Sequence, residues 1–373
     1  MSKKNSVLSW IKGEAVLCIA AVCALVSMLF VPPSAAYLAY IDVRVLCLLF
    51  CLMTVVLGFQ ACGLFDVLAQ KMLEGERENK AVYLMLVMLP FFVSMLVTND
   101  VALITFVPFT VLVLELVRKR DMLIRIVVLQ TVAANLGSMA TPVGNPQNLF
   151  LYANYELSAG QFFGLLLPPT LVSLVLLVVA SLLVKGETIH VTFLEKTQLR
   201  ETKKLLVYGV LFGLCLLSVF DILHYGILTV IVAAAFLLLD RSLLKEVDYS
   251  LLLTFICFFI FSGNLGQLTA VQELLGGMLQ KNALLTSVAA SQVISNVPAA
   301  ILLSSFTDNW KELLLGVDVG GLGTPIASLA SLISLKLYMK AEGAQPAKYM
   351  VVFTVVNLIG LAILIPLSMI LTA

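Results

Sequence analysis

The sequence predicts an all-α polytopic membrane protein, on three observations. Apolar residues make up 61% of the 373-residue chain and charged residues only 12%, about half the charged share of a soluble domain. Apolar stretches long enough to approach a bilayer crossing follow one another along the chain. Several more are interrupted in mid-stretch by polar or Gly/Pro motifs, and the interruptions recur in the same order in both halves. A water-soluble chain of this length has too much surface to leave so little of it charged. The net charge of +1 suggests neither nucleic acid nor an acidic partner.

The elements follow in order. Lys3, Lys4 and Lys12 precede an apolar run ending near Ser34-Ala35-Ala36, the outline of a cleavable signal peptide. Equally apolar segments follow, so an uncleaved first crossing is the better reading. The uninterrupted segments run at 14–31, 44–60, 161–185, 204–220, 225–240, 249–263 and 347–371. The interrupted ones are 81–117, broken at Thr98-Asn99-Asp100; 122–153, broken between Gly137 and Pro146; 282–306, broken at Ser295-Asn296-Val297-Pro298; and 312–340, broken between Gly320 and Pro325. Gly137 and Thr141-Pro142 match Gly320 and Thr324-Pro325 at the same spacing, and Leu48–Gly63 looks like Leu252–Gly266. Corresponding interruptions in two halves point to a transporter built from repeats. Residues 1–185 form the first repeat, with hairpin 81–117 and broken helix 122–153. A linker loop and linking crossing occupy 186–224. Residues 225–373 form the second repeat, with hairpin 282–306 and broken helix 312–340.

Loop charge gives the orientation. If the Asn-centred segments are re-entrant, the loops at 71–80, 118–121, 186–203, 241–248 and 341–346 fall on one side and carry most of the Lys and Arg. The other side keeps little beyond Arg44, Lys281 and Lys311. The positive-inside rule then puts the N-terminus in the cytoplasm and the C-terminus outside a cell membrane. The single linking crossing 204–220 inverts the second repeat against the first. If each Asn-centred segment crosses twice instead, the parity is unchanged.

A helix broken inside a bilayer exposes backbone groups, each costing several kcal/mol unless they bind something or meet water. The breaks supply helix N-termini that favour an anion and C-terminal carbonyls that can hold a cation. Thr98, Asn99 or Asp100 can cap the second limb of the first hairpin, and Ser295 or Asn296 that of the second. Pro142, Pro146, Pro298 and Pro325 sit where helices would restart. One such break alone reads as a kink, whereas four in register read as a site. Asp100 lies between two apolar runs, where an ionised carboxylate costs about 2.5–3.5 kcal/mol or more and usually marks an ion pathway. Its bland alternative is a helix cap. His190 and His224 fall in loops, and Tyr152 and Tyr155 suit an aromatic belt. The seven cysteines show no metal-ligand spacing and read as small buried hydrophobes. No P-loop, HExxH or nucleophile elbow occurs, so no enzyme or ATP-driven pump is indicated and no cofactor is expected.

The hairpin tips Thr98-Asn99-Asp100-Val101-Ala102-Leu103 and Ser295-Asn296-Val297-Pro298, with Ala140-Thr141-Pro142-Val143-Gly144-Asn145-Pro146-Gln147-Asn148-Leu149, resemble the ion transporter superfamily. That group holds divalent anion/sodium symporters, citrate permeases, arsenite permeases and some Na⁺/H⁺ antiporters. The anion permease branch is the most similar. The resemblance implies that Asn99 and Asn296 bind substrate and coupling ion, with Thr98 and Ser295 beside them. Thr141, Gly144, Asn145, Thr324 and Pro325 would line the facing loops. It further implies a homodimer and elevator-type alternating access. The symporter tips read Ser-Asn-Thr, and Asp100 and Val297 stand where threonine is expected. A small, di- or oxyanionic substrate carried with Na⁺ or H⁺ is therefore the leading expectation, with Asn99, Asp100 and Asn296 as the coupling-ion ligands. The alternative is a Na⁺/H⁺ antiporter with Asp100 as the exchanging carboxylate. A channel would more naturally show a ring-forming filter.

Overall fold

The computed structural model describes residues 14–184, 186–191, 193 and 197–373, so Lys3, Lys4, Lys12, Lys185 and Lys196 lie outside the described residues. It is 75% helical. In chain order the helices are α1 (Ala15–Ser27), α2 (Val43–Ala61), α3 (Leu64–Leu73), α4 (Asn79–Val93), α5 (Asn99–Leu116), α6 (Leu123–Ser138), α7 (Pro146–Asn154) and α8 (Ala159–Leu182). They continue as α9 (Thr202–Val219), α10 (Tyr225–Leu239), α11 (Tyr249–Leu265), α12 (Thr269–Lys281), α13 (Ala283–Ile294), α14 (Asn296–Ser304), α15 (Trp310–Val319), α16 (Leu329–Tyr338) and α17 (Pro346–Thr372). Single turns fill some of the connections.

Local chemistry sets many of the boundaries. Asp42 and Asp248 cap α2 and α11 by accepting from Val45 N and Leu251 N at 3.0 and 2.9 Å. Asn282 caps α13 through Leu285 N at 2.7 Å, and Ser158 with Gln161 forms a capping box on α8. Among the described helices, six are long and apolar enough to cross a bilayer, and the pair α11–α12, bent by 100°, makes a seventh if counted as one span. Leu206, Leu238 and Ile370 are 74%, 86% and 74% exposed. Apolar side chains so exposed on long helices belong against lipid rather than water. This is a multi-pass membrane protein.

Helix α2, against which α9 and α10 pack, belongs to one of two buried apolar clusters. The other is built around α4, α6 and part of α17. The breaks lie where the halves interlock. In each half the first hairpin limb packs on the first limb of its own broken helix, α4 on α6 and α13 on α15. The second limbs cross over, α5 packing on α16 and α14 on α7.

Several expectations need correcting. The all-α architecture holds, with a short ribbon the sequence did not announce: Gly75–Glu78 (β1) pairs antiparallel with Thr188–Val191 (β2), Glu76 opposite His190. This ribbon ties two loops together, so His190 is a strand residue. Tyr152 is buried against Phe162 and Phe220, and Tyr155 Oη donates to the Thr307 carbonyl at 2.6 Å. Neither belongs to an exposed belt. Pro146 does open a helix and Pro298 lies in the first turn of one, but Pro142 and Pro325 lie in loops before the helices restart. The charged loops do gather at shared ends. Arg120 bridges Glu115 and Glu342 at 2.7 and 3.0 Å, Lys119 pairs with Glu187, and Lys204 reaches Asp240 at 3.0 Å. Arg44, assigned to the other side, pairs with Asp221 at 2.7 Å.

Candidate functional site

The site is assembled where the four breaks meet. Asn99 opens α5 and is buried. Its backbone N–H donates to the Gly144 carbonyl at 3.2 Å, its Oδ1 accepts from Asp100 N at 3.0 Å, and its Nδ2 donates to Asn135 Oδ1 at 3.0 Å. Asn296 opens α14 in the same manner: its N–H donates to the Ala327 carbonyl at 2.9 Å, and its Oδ1 accepts from Val297 N at 3.0 Å. Both residues therefore satisfy their own helix ends, while Thr98 and Ser295 make no side-chain cap. Gly144 and Ala327 each lie three residues past the threonine of their loop.

Those threonines close the same connection twice. Thr141 Oγ1 donates to the Met95 carbonyl at 2.5 Å, and Thr324 Oγ1 donates to the Gln292 carbonyl at 3.0 Å. Each acceptor lies four residues before the tip asparagine. The loops can approach this closely because of their glycines: a Cβ on Gly137 would run into the Phe91 carbonyl, and one on Gly144 into the Ser138 carbonyl. Pro325 is beside Thr324 at a partly exposed position.

Between the loops lie further polar side chains, of which sequence reasoning had named only Asn145. Asn135 Oδ1 accepts from Ser328 Oγ at 3.0 Å, and its Nδ2 donates to Ser331 Oγ at 3.3 Å. Asn145 caps α7 through Asn148 N at 2.8 Å, and its Nδ2 donates to Ser138 Oγ and Asp318 Oδ1, both at 3.3 Å. Gln147 Nε2 donates to the same Asp318 oxygen at 3.3 Å. Asp318 is 3% exposed, and its Oδ2 has no hydrogen-bond partner. A signal for it was present: Asp318 precedes Gly320 by two residues, as Asn135 precedes Gly137.

Asp100 stands apart from this network. It is half-buried, its Oδ1 is buried without a partner, and it lines a cavity of about 330 Å³ with Gln60, Thr98, Glu246 and Asp248. A second cavity of about 260 Å³ holds Asp100 and Asp248 together with Lys336. Consecutive residues diverge by about 100° around a helix, so Asn99 faces the loops while Asp100 faces the cavities. The cysteines are unpaired, and no group of three or more His, Cys, Asp or Glu suited to a metal occurs among the described residues.

The comparisons with known proteins agree with this architecture. The family model described as "Citrate transporter" matches residues 7–310, from the first crossing through the second hairpin. The chain is 34% identical over 308 residues to the inner membrane protein YbiR of Escherichia coli, covering 80% of this chain and 81% of that protein. An uncharacterized transporter of Methanocaldococcus jannaschii is 32% identical over 294 residues, covering 78% and 79%. The silicon efflux transporter LSI3 of Oryza sativa is 32% identical over 134 residues, covering 36% of this chain and 27% of that one.

Proposed function

Because the chain belongs to the citrate transporter family, and is a transporter rather than an enzyme, we propose that it is a secondary carrier of a small carboxylate or oxyanion, coupled to Na⁺ or H⁺. The observation that carries the reading is the matched anchoring of the two tips, Asn99 N on Gly144 O and Asn296 N on Ala327 O. It brings helix N-termini from both hairpins against the two facing loops. Their first N–H groups are taken by the loop carbonyls and the asparagine side chains, so what they present to an anion is the positive end of each helix dipole. The tips carry no Lys or Arg, so the remaining anion charge is met by a co-bound cation, for which Asn99, Asn296 and Asp100 are the candidate ligands.

Inverted halves, a cytoplasmic N-terminus, a homodimer in a cell membrane and elevator-type movement complete the proposal. The matched hydrogen bonds and crossed helix packing support related halves. The lysine- and arginine-rich loops meeting at shared ends support the orientation. The cavity running from Asp100 to Glu246 and Asp248 supports an access path from that side. One observation favours a second reading, Na⁺/H⁺ antiport through Asp100: its orphaned Oδ1 beside Asp248 suits a lone exchanging ion.

A thermal-shift screen of the purified protein tests the choice. Citrate and other small carboxylates, arsenite and silicate are offered with and without Na⁺, and at several pH values. A ligand that binds the folded state raises its melting temperature by mass action. A carrier is stabilised by one anion, and more so with its coupling ion. Stabilisation by cation alone would transfer the assignment to the antiporter.

A further inference from the structure

The matched positions Asn135 and Asp318 differ in one chemical respect. Asn135 uses both ends of its amide: Oδ1 accepts from Asn99 and Ser328, and Nδ2 donates to Ser331 Oγ. Asp318 reproduces only the accepting end, with Oδ1 held by Asn145 and Gln147. Its Oδ2 is buried and has no donor. The residue in register with Ser331 is Asn148, seven past its loop threonine as Ser331 is past Thr324. Asn148 neighbours the Asp318 carboxyl, and its own Oδ1 is also buried without a donor. Its amide orientation is fixed, because Nδ2 donates to the Met139 and Thr141 carbonyls at 3.2 and 3.4 Å. Two orphaned acceptors thus stand where the first half has a donor and an acceptor.

We propose that Asp318 is the proton-binding group of this carrier: one proton taken on Oδ2, the buried oxygen without a donor, turns the carboxyl into the counterpart of the Asn135 carboxamide. The step forms one O–H bond and cancels one buried negative charge. A protonated carboxyl is the hydrogen-bonding equivalent of a carboxamide, with one accepting and one donating end. The alternative, a buried carboxylate held only by the two amide donors on Oδ1, leaves Oδ2 bare and the charge without a counter-charge, at the cost that burial of a charge carries. Among the described residues no cationic side chain pairs with it. The helices packed against α15 carry the titratable groups Arg125, Tyr152, Lys348 and Tyr349, and α15 itself carries Lys311 and Glu312. None forms a hydrogen bond or ion pair with Asp318; Arg125 donates to the Ala180 carbonyl at 2.6 Å. Linking this proton to transport rests on the carrier reading above, whereas the proton's location does not.

The first test needs no substrate. Infrared difference spectra of the reconstituted protein across pH should show a carboxylic-acid C=O band that disappears as the pH rises. The band should be lost in Asp318→Asn, kept in Asp100→Asn, and moved in position in Asp318→Glu, which keeps the acid on a longer chain. Asp318→Asn keeps the side chain's shape and the accepting oxygen for Asn145 and Gln147 while removing the buried charge, and should fold. Should it not, the Glu variant decides. A band retained in Asp318→Asn, or unmoved in Asp318→Glu, overturns the proposal. If instead no acid band titrates and Na⁺ raises the melting temperature of the parent protein but not of Asp318→Asn, the two oxygens hold a metal ion and the proposal falls. With citrate as probe in proteoliposomes, Asp318→Asn should lose accumulation driven by a pH gradient yet keep citrate exchange. Failure of the parent protein to move citrate at all would count against the substrate reading while leaving the infrared result standing.

Discussion

The two hairpin tips share a scaffold and differ in what they present. Asn99 and Asn296 hang from the facing loop by the same backbone hydrogen bond and cap their helices through the same side-chain oxygen. The following residue is Asp100 in one tip and buried Val297 in the other. The reverse difference appears at the loops, where Asn135 in the first half stands against Asp318 in the second. At these matched positions each half thus carries one carboxylate, differently buried: Asp100 at a cavity wall and Asp318 only 3% exposed. The lesson is that the asparagines, threonines and glycines belong to a framework common to both halves, and charge is placed where the halves diverge.

Substitutions can break that comparison. The largest expected effect is functional: Asn99→Ala and Asn296→Ala should each abolish transport while leaving a folded protein. Asn99→Ala should also cost more stability, by about 1 kcal/mol, because it alone removes a side-chain bond to Asn135. Equal stability in the two variants, measured by thermal unfolding, would erase the distinction; full transport in either would make the tips plain kinks. Next is Gly137→Ala, whose Cβ meets the Phe91 backbone and should cost about 1–3 kcal/mol or more. Gly160→Ala, which meets nothing within 4 Å, is the control and should melt near the parent temperature.

A gain should follow at the second tip. Ser295 has φ +73° and ψ +154°, a region essentially restricted to glycine that costs about 1–3 kcal/mol for other residues. Ser295→Gly should raise the melting temperature, whereas the corresponding Thr98→Gly, at φ −65°, should lower or leave it. A fall in Ser295→Gly would show that the serine hydroxyl matters more than its backbone. The smallest contrast is between the loop threonines. Thr141→Val should lose about 0.5–1.5 kcal/mol, and Thr324→Val less, since Thr324 is exposed and water can replace the lost bond. Equal losses would mean that the two loops are buried alike in the bilayer.

Much of this framework was legible in the sequence, because it depends on spacing. The equal offsets from Gly137 to Thr141 and from Gly320 to Thr324 foretold two loops that close alike, and Thr-to-Met95 and Thr-to-Gln292 bonds are the result. Asn99, Asn296, Asn145 and Gly144 were singled out and converge. Asp318 was not, because it is embedded in the apolar run Leu313–Val319 and spacing alone does not reveal which helix faces meet. Gln147, Ser328 and Ser331 were missed for the same reason, since their partners come from the other half of the chain; Asn148, bonded within its own half to the Met139 and Thr141 carbonyls, was not singled out either. Asp100 was identified, but its direction was not: only the phase of α5 shows that it turns toward Asp248 and away from the loop network. The β1–β2 ribbon escaped because Gly75–Glu78 is a charged stretch without strand alternation of apolar residues.

The central claim, ion-coupled transport of a small anion, is tested most directly in proteoliposomes loaded at equal citrate concentration on both sides. The account predicts that an imposed pH or Na⁺ gradient drives labelled citrate above its equilibrium distribution, and that collapsing the gradient with an ionophore returns it to equilibrium. Citrate, or any anion selected by the stability screen, that merely equilibrates regardless of either gradient would contradict it.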